Sequence, residues 1–264
     1  MKSVEKNKLR RDFYVVCTII LLTFTTSILI NIDLFYLVLM YLLLPSIYLI
    51  LRKKKDLARI CISSLTLGVF YGMSYNFIAE YFHAYQTIYA NPFHAWKIVG
   101  VTPIADILWG FLIPFSIIVF YEHFLDRHKK LNSYSKKSLF FVSFGAILFL
   151  VISVYLNLYS IQSYPRQYAF FIVGLISSLP LILLFFEKHH LLYKIYFCSL
   201  YYFILNILFE VSAFVNNSWV FLGHYFYQIN IGGWIFPIEE FIFWIVPSTA
   251  VFLILYEYFF DDNR

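Results

Sequence analysis

Charged residues are scarce in this chain, and their scarcity excludes a water-soluble fold. Only 13% of the 264 residues are Asp, Glu, Lys or Arg, whereas 61% are hydrophobic. A chain of this length cannot hide so much apolar surface in one soluble core. Apolar stretches of about 18 residues or more recur, and each is long enough to cross roughly 30 Å of hydrocarbon. The sequence therefore predicts an all-α polytopic membrane protein.

Cysteines, histidines and nucleotide-binding motifs are also sparse. The three cysteines (Cys17, Cys61 and Cys198) lie far apart without CxxC spacing, which argues against disulfides and a cysteine metal site. The seven histidines form neither an HExxH motif nor the repeated histidine boxes of membrane di-iron oxygenases. The sequence has no GxGxxG after a strand, no Walker A motif and no DxxxD pair for magnesium. We therefore expect no metal and no NAD, FAD or ATP cofactor.

Eight helices account for the apolar stretches. We expect them near residues 13–31, 34–51, 57–82, 101–124, 138–160, 167–187, 190–215 and 235–260. With eight crossings, all but 2 of the 20 Lys and Arg residues fall on one side, the exceptions being Lys97 and Arg166. We expect a multi-pass protein of the cytoplasmic membrane. By the positive-inside rule, both of its termini then lie on the cytoplasmic side. The net charge of +5 thus reflects membrane topology, and we expect no nucleic-acid partner.

The chain contains an internal repeat at a shift of 134 residues. This shift superimposes Pro103 on Pro237, Ile104 on Ile238, Asp106 on Glu240 and Asn76 on Glu210. At one residue more, Tyr121-Glu122 falls on Tyr256-Glu257. Any two apolar segments look alike, but the shared Pro-Ile-x-acid start and Tyr-Glu end favour a duplication. We expect two parallel four-helix repeats, residues 1–130 with the motif PIAD and residues 131–264 with the motif PIEE.

Acidic residues gather near the outer ends of the predicted helices. Glu210 lies inside a span, and Glu239 and Glu240 open the last span at a similar depth. Three residues of the first repeat are expected at the corresponding depth in the membrane, namely Asn76, Glu80 and Asp106. Carboxyl groups that converge away from water retain at least one proton, and a neutral acid beside an ionised one can perform acid–base catalysis. Alternatively, Glu239 and Glu240 only stabilise a helix N-terminus, which leaves Glu210 unexplained.

Two long loops, residues 81–102 and 215–236, are rich in Tyr, Phe and Trp. An aromatic belt at the membrane interface accounts for such residues. The same residues can also form the wall of a pocket whose ring faces stabilise a cation. The sequence leaves both roles open.

In these residues the chain resembles the integral-membrane lycopene cyclases, a family built from two similar halves. The second half carries the matching positions, namely Phe209-Glu210, Trp219, Pro237-Ile238-Glu239-Glu240, Phe241, Phe243, Pro247 and Tyr256-Glu257. In the first half, Asn91-Pro92-Phe93, Pro114 and Tyr121-Glu122 fit the pattern. There, Tyr75-Asn76 replaces an aromatic-Asp pair, and Pro103-Ile104-Ala105-Asp106 replaces the Glu-Glu motif. The resemblance covers residues 34–260.

The resemblance implies an acid-catalysed cyclisation of a linear carotenoid or polyprenoid end group without net redox change. It implies that Glu239 or Glu240 donates the proton, with the other and Glu210 as proton partners and Asp106 as a contribution from the first half. For the substrate-binding wall we expect Asn76, Glu80, Trp219, Phe243 and Trp244. Expected partners are the lipophilic substrate and membrane lipid, and homo-oligomer formation stays open.

Two other functions are compatible with part of the pattern. A carrier or binding protein for a lipophilic molecule would also use parallel repeats with polar groups inside the membrane. An intramembrane protease of the Glu-Glu type needs an Arg four residues after the second Glu, where this chain has Trp244. The carrier is therefore the stronger alternative to the cyclase.

Overall fold

A computed structural model describes residues 3–52, 56–82, 84–88, 96–98, 102–126, 136–158, 168–187, 189–231 and 233–261. Its helices are α1 (Ser3–Leu29), α2 (Leu34–Arg52), α3 (Leu57–Tyr81), α4 (Ile104–Phe124), α5 (Lys136–Leu158), α6 (Ala169–Ser178), α7 (Leu181–Phe186), α8 (Leu192–Val215) and α9 (Glu240–Phe259). In the described part of the chain, six of them are long and apolar enough to cross a membrane, namely α1 to α4, α8 and α9. This confirms an all-α membrane protein. The expected boundary between residues 130 and 131 lies outside the described residues.

Helix boundaries follow local chemistry where they differ from those expected. The carboxylate of Asp33 accepts a hydrogen bond from the Phe35 N–H at 2.9 Å and thereby caps the start of α2. The segment expected as one helix over 167–187 is broken into α6 and α7 at Pro180, which lacks an N–H and crowds the preceding turn. At its N-terminus α1 begins ten residues earlier than expected, because its basic residues are good helix formers.

Three two-stranded antiparallel sheets lie in the two long loops. The strands are β1 (Tyr85–Thr87), β2 (Lys97–Ile98), β3 (Thr102–Pro103), β4 (Trp219–Phe221), β5 (Gln228–Ile231) and β6 (Trp234–Pro237). Strand β1 pairs with β4, β2 with β3, and β5 with β6. The last two pairs shorten the helices expected from 101 and 235, because Pro103 and Pro237 favour extended backbone in the residues before them.

The β1–β4 ladder joins the two long loops directly. Its register pairs Tyr85 with Phe221, Gln86 with Val220 and Thr87 with Trp219. Side chains alternate between the two faces of a strand. Gln86 and Val220 accordingly face outward and are exposed, while their neighbours turn towards the helix bundle. We call this end of the molecule the loop end.

The opposite end of the bundle, the terminal end, holds the first turns of α1 and the last turn of α9. Its ion pairs join four helices. Arg59 of α3 donates to Glu122 of α4 at 3.1 Å and to Asp261 after α9 at 2.9 Å. Asp12 of α1 contacts Arg52 of α2 at 2.9 Å. These pairs satisfy the charges of Asp12, Arg59 and Asp261, which are buried inside the bundle.

Two tyrosine–glutamate hydrogen bonds at the terminal end connect α4 with α9. The Tyr256 hydroxyl donates to Glu122 at 2.6 Å, and the Tyr121 hydroxyl donates to Glu257. Both tyrosines are completely buried. Helix α4 is the most enclosed of the six long helices, so these bonds attach α9 to the centre of the bundle.

We expect Arg59→Met to destabilise the protein strongly. The substitution leaves the carboxylates of Glu122 and Asp261 buried without their cation, which typically costs about 3–5 kcal/mol. The readout is the midpoint of thermal unfolding in detergent. Arg11→Met removes an exposed cation of the same type and serves as the matched control. Equal unfolding midpoints for both variants would contradict the structural role of the Arg59 pairs.

Candidate functional site

A cavity of about 110 Å³ lies between the helices beneath the β1–β4 ladder. It is lined by α2, α3, α4, α8 and α9 together with both strands of the ladder. A single water needs about 10–15 Å³ on the same scale. The cavity therefore has room for several waters or for one ring-sized apolar group.

Three carboxyl groups and two amides line this cavity, the second amide being that of Asn206 on α8. Asp106 comes from the first turn of α4, Glu210 from α8, Glu240 from the start of α9 and Asn76 from α3. The structure brings these four side chains to one cavity, as expected. No Lys, Arg or His is among the described residues that line the cavity with the acids.

Two glycines bring α3 and α4 close enough for Asn76 and Asp106 to face the same space. A Cβ on Gly68 would lie 2.0 Å from the backbone oxygen of Gly110, and a Cβ on Gly110 would lie 2.5 Å from the sulfur of Met73. Neither position has room for a larger side chain. The close approach of the helices thus depends on glycine at both positions.

Strand β1 orients the polar groups of the first half of the site. The Tyr85 hydroxyl donates to the Asn76 side-chain oxygen, and the Thr87 hydroxyl donates to Asp106 at 3.3 Å. Asn76 also donates to Glu80 at 3.5 Å. Glu80 does not line the cavity, so it reaches the site through Asn76.

In the second half, several buried polar atoms lack hydrogen-bond partners among the described residues. They are Oε2 of Glu210 and the indole nitrogens of Trp219 and Trp244, all of which line the cavity. Buried polar groups in proteins are nearly always hydrogen-bonded, so such a cluster calls for an explanation. A carboxyl group without a donor is more stable neutral than ionised in such surroundings.

Glu239 and Glu240 separate in the structure, although the sequence treats them as one pair. Adjacent residues on a helix point about 100° apart. Glu240 lines the cavity, whereas Glu239 accepts a hydrogen bond from the Phe226 N–H at 2.6 Å and is 1% exposed. Glu239 thus holds the loop before β5 and does not face the cavity.

Phe243 also lies outside the cavity lining. Its ring packs against Gly174 and lies 5.3 Å from the ring of Phe171, both on α6. Among the residues expected to bind substrate, Trp219, Trp244 and Asn76 line the cavity. Phe243 instead fixes α9 to α6.

The aromatic loops serve two purposes. Tyr85, Trp219 and Phe221 line the cavity, whereas Trp96 and Tyr227 are 70% and 66% exposed. Tyr225 ties the loops together by donating to the Ala84 carbonyl, and burial raises the pKa of its phenol, so that the hydroxyl keeps its proton. Residues 89–95 of the first aromatic loop, including Asn91-Pro92-Phe93, lie outside the described part of the chain.

Several lining residues were not predicted, although a shift of 134 residues in the sequence relates them to one another. Six pairs of lining residues stand 134 positions apart, namely Gly72 and Asn206, Asn76 and Glu210, Tyr85 and Trp219, Thr87 and Phe221, Asp106 and Glu240, and Gly110 and Trp244. Only some of these pairs carry acidic groups, and attention to acids alone overlooks the rest.

Comparisons with protein-family models, with curated proteins and with solved structures found no match. The geometry of the cavity is therefore the basis for a functional assignment.

We expect Glu210→Gln to raise the midpoint of thermal unfolding. The amide keeps the size of the side chain but cannot ionise, so it removes the cost of holding a negative charge between Glu210 and Glu240 away from water, a gain of about 1–3 kcal/mol. Differential scanning fluorimetry in detergent measures the effect. Glu187→Gln changes an exposed carboxyl and should leave the midpoint unchanged. A lower midpoint for Glu210→Gln alone would show that the acid stabilises the fold.

Proposed function

We propose that the protein is a lycopene cyclase-like membrane enzyme that cyclises an end group of a linear carotenoid or polyprenoid. The observation that carries the proposal is the cavity beneath the ladder, where Asp106, Glu210 and Glu240 line the same space as several aromatic rings. An acid is needed to start such a reaction, and negative and aromatic surroundings favour the cation that follows. The resemblance in sequence points to the same chemistry.

The reaction needs no oxidant and no cofactor. A carboxylic acid of the Glu210–Glu240 pair adds its proton to the terminal carbon–carbon double bond, which leaves a tertiary carbocation. A neighbouring double bond attacks this cation and closes the ring, moving the positive charge into the ring. A carboxylate then removes a ring proton, so the product has the same atoms as the substrate. The pair ends with the one proton that it held at the start.

The other lining residues bind and orient. Trp219 and Trp244 present their rings to the positive charge, and the ring of Phe209 lies 5.8 Å from that of Trp219. Asp106, held by Thr87, adds negative charge on the opposite wall. Glu239 acts indirectly by positioning the loop that carries Phe226.

The proposal includes two parallel four-helix repeats, with α5 and the α6–α7 pair as further membrane crossings. Contacts related by the repeat support it at both ends of the molecule. In the β1–β4 ladder, Gln86 pairs with Val220, its own counterpart at a shift of 134. At the terminal end, the bond from Tyr121 to Glu257 is the counterpart of the bond from Tyr256 to Glu122.

Ion pairs at the terminal end follow the same relation. Arg59 binds Asp261 at 2.9 Å, and at a shift of 135 residues Lys194 binds Asp126 at 2.9 Å. Contacts that exchange under the repeat are those expected across a two-fold axis along the membrane normal. The cavity lies on that axis in this arrangement, since its lining contains both members of six repeat-related pairs.

Repeat-related positions are 134 residues apart at the starts of α4 and α9 and 135 residues apart at their ends. A feature of α9 matches this difference. The strands before α4 and α9 end at Pro103 and Pro237, and these two helices end at Phe124 and Phe259. The extra residue in the second helix coincides with a π-helical turn over Glu240–Ile245. A π-turn accommodates one residue more than an α-turn, so the repeat relation survives the insertion.

Production in bacteria that accumulate lycopene tests the proposed reaction. We expect pigments with cyclic end groups of unchanged mass, and one deuterium for each ring when membranes that contain the protein convert unlabelled lycopene in heavy water. Glu240→Gln and Glu210→Gln should abolish ring formation, because each removes a member of the proton pair. Chromatography with mass spectrometry gives both readouts.

Glu187→Gln serves as the control in the same cells, because Glu187 is exposed and lies outside the cavity lining. Unchanged lycopene in membranes that contain the folded wild-type protein would contradict cyclisation of this substrate. Bound but unchanged lycopene would instead favour the alternative, a carrier or binding protein for a lipophilic molecule.

Both termini are cytoplasmic in this proposal, so the loop end faces the oxidising side of a bacterial cytoplasmic membrane. The double substitution Gln86→Cys with Val220→Cys should then form a disulfide in cells without added oxidant, because the two residues are paired and exposed. A mobility shift on a non-reducing gel detects it. Gln86→Cys with Leu222→Cys is out of register and should stay reduced. Reduced thiols in both pairs would argue against the orientation.

A further inference from the structure

A second cavity, of about 880 Å³, opens towards the lipid between α1, α4 and α8. We call it the lipid-facing groove and define it by Phe13, Cys17, Phe120, Phe197, Tyr201 and Leu205. We propose that it binds the elongated apolar chain of the substrate while the end group occupies the cavity beneath the ladder. This inference rests on the proposed function and adds a binding site for the part of the substrate that does not react.

The first support is that the two spaces meet at one side chain. Leu205 lines both the groove and the cavity, and it is 2% exposed. From Leu205 the cavity continues along α8 to Glu210, and the groove extends along the same helix from Leu208 back to Phe197. Eight residues of helix separate Phe197 from Leu205, which corresponds to about 12 Å of groove. Leu205 is therefore the partition between them, and the substrate chain passes from one space to the other where this side chain swings aside.

The second support is size. The cavity beneath the ladder is about one eighth of the volume of the groove and suits one end group. A long polyprenoid chain has to leave the cavity between helices. At the loop end the β1–β4 ladder covers the cavity with Tyr85 and Trp219. The groove continues from Leu205 in the other direction, along the length of the bundle.

The third support is the chemistry of the groove walls. Phe120 stacks on Tyr201 with ring centroids 4.0 Å apart, and Phe13 lies 6.2 Å from Tyr201. A wall of packed aromatic and aliphatic side chains suits an apolar conjugated chain. No carboxylate lines the groove among the described residues. Its two cations, Lys6 and Arg10, lie in the first turns of α1, away from Leu205.

Those two cations also allow a phospholipid to occupy the groove, with its phosphate at Lys6 and Arg10 and its acyl chains along the aromatic wall. A phospholipid does not need the connection at Leu205, since its polar group lies at the other end. The two occupants are therefore distinguished by whether binding depends on Leu205.

Two native cysteines provide a binding assay that does not depend on catalysis. Cys17 lines the groove, whereas Cys61 is exposed elsewhere on the molecule and serves as the internal control. Purified protein in detergent is treated with methyl methanethiosulfonate, and mass spectrometry follows modification of each thiol. We expect lycopene to slow the modification of Cys17 severalfold and to leave Cys61 unchanged. Phospholipid should protect Cys17 less than lycopene.

Variants test the partition and the groove separately. Leu205→Trp should close the connection and abolish both the protection of Cys17 by lycopene and the formation of rings. Leu21→Trp fills the groove from its lipid-exposed edge, where a larger side chain is tolerated, and should weaken protection. Leu192→Trp places the same side chain on an exposed part of α8 outside the groove and should behave like the wild type.

The outcomes separate this inference from the proposed function. Ring formation without protection of Cys17, together with a normally active Leu21→Trp variant, would overturn the groove assignment and leave the cyclase standing. Equal protection by phospholipid and lycopene that persists in Leu205→Trp would identify an ordinary lipid contact and would also overturn it. Protection by lycopene that is lost in Leu205→Trp, but without any cyclic product, would support the groove and remove the cyclase.

Discussion

The two tyrosine–glutamate hydrogen bonds between α4 and α9 are the contact on which the geometry of the site depends. These helices carry Asp106 and Glu240 in their first turns, at the end remote from those bonds. Fixing the far ends of two helices restricts the angle and the rotation of both. In an environment that supplies no water to buried hydroxyl and carboxyl groups, such bonds are costly to break. The acids are thus placed by contacts made near the other side of the bundle.

Composition and charge were enough to predict the class of fold and the approximate position of most helices. The spans are long, apolar and bounded by charged or loop residues, so their existence follows from the energetics of the bilayer alone. The repeat in the sequence also predicted that Asn76, Asp106, Glu210 and Glu240 belong together. The break at Pro180 was missed, because a proline either bends a helix or ends it, and α2 continues through Pro45.

Other features depend on contacts between distant segments and could not be predicted locally. The β1–β4 ladder pairs residues more than 130 positions apart, and each strand has only three residues. The different orientations of Glu239 and Glu240 depend on where α9 begins and on the Phe226 N–H that Glu239 reaches. Cyclase activity stays a prediction, since the structure bears on the placement of the acids and not on the reaction.

The π-helical turn at the start of α9 has a consequence for how this helix can accommodate an added residue. An extra residue in a regular helix turns everything after it by about 100° around the helix axis. Such a rotation would carry Tyr256 and Glu257 away from α4. The wide turn at Glu240–Ile245 accommodates the added residue locally. The cavity end of α9 can therefore rotate about the helix axis while Tyr256 and Glu257 keep their hydrogen bonds to α4. Side chains of α9 at the cavity can therefore change their orientation without disturbing the contacts at the terminal end.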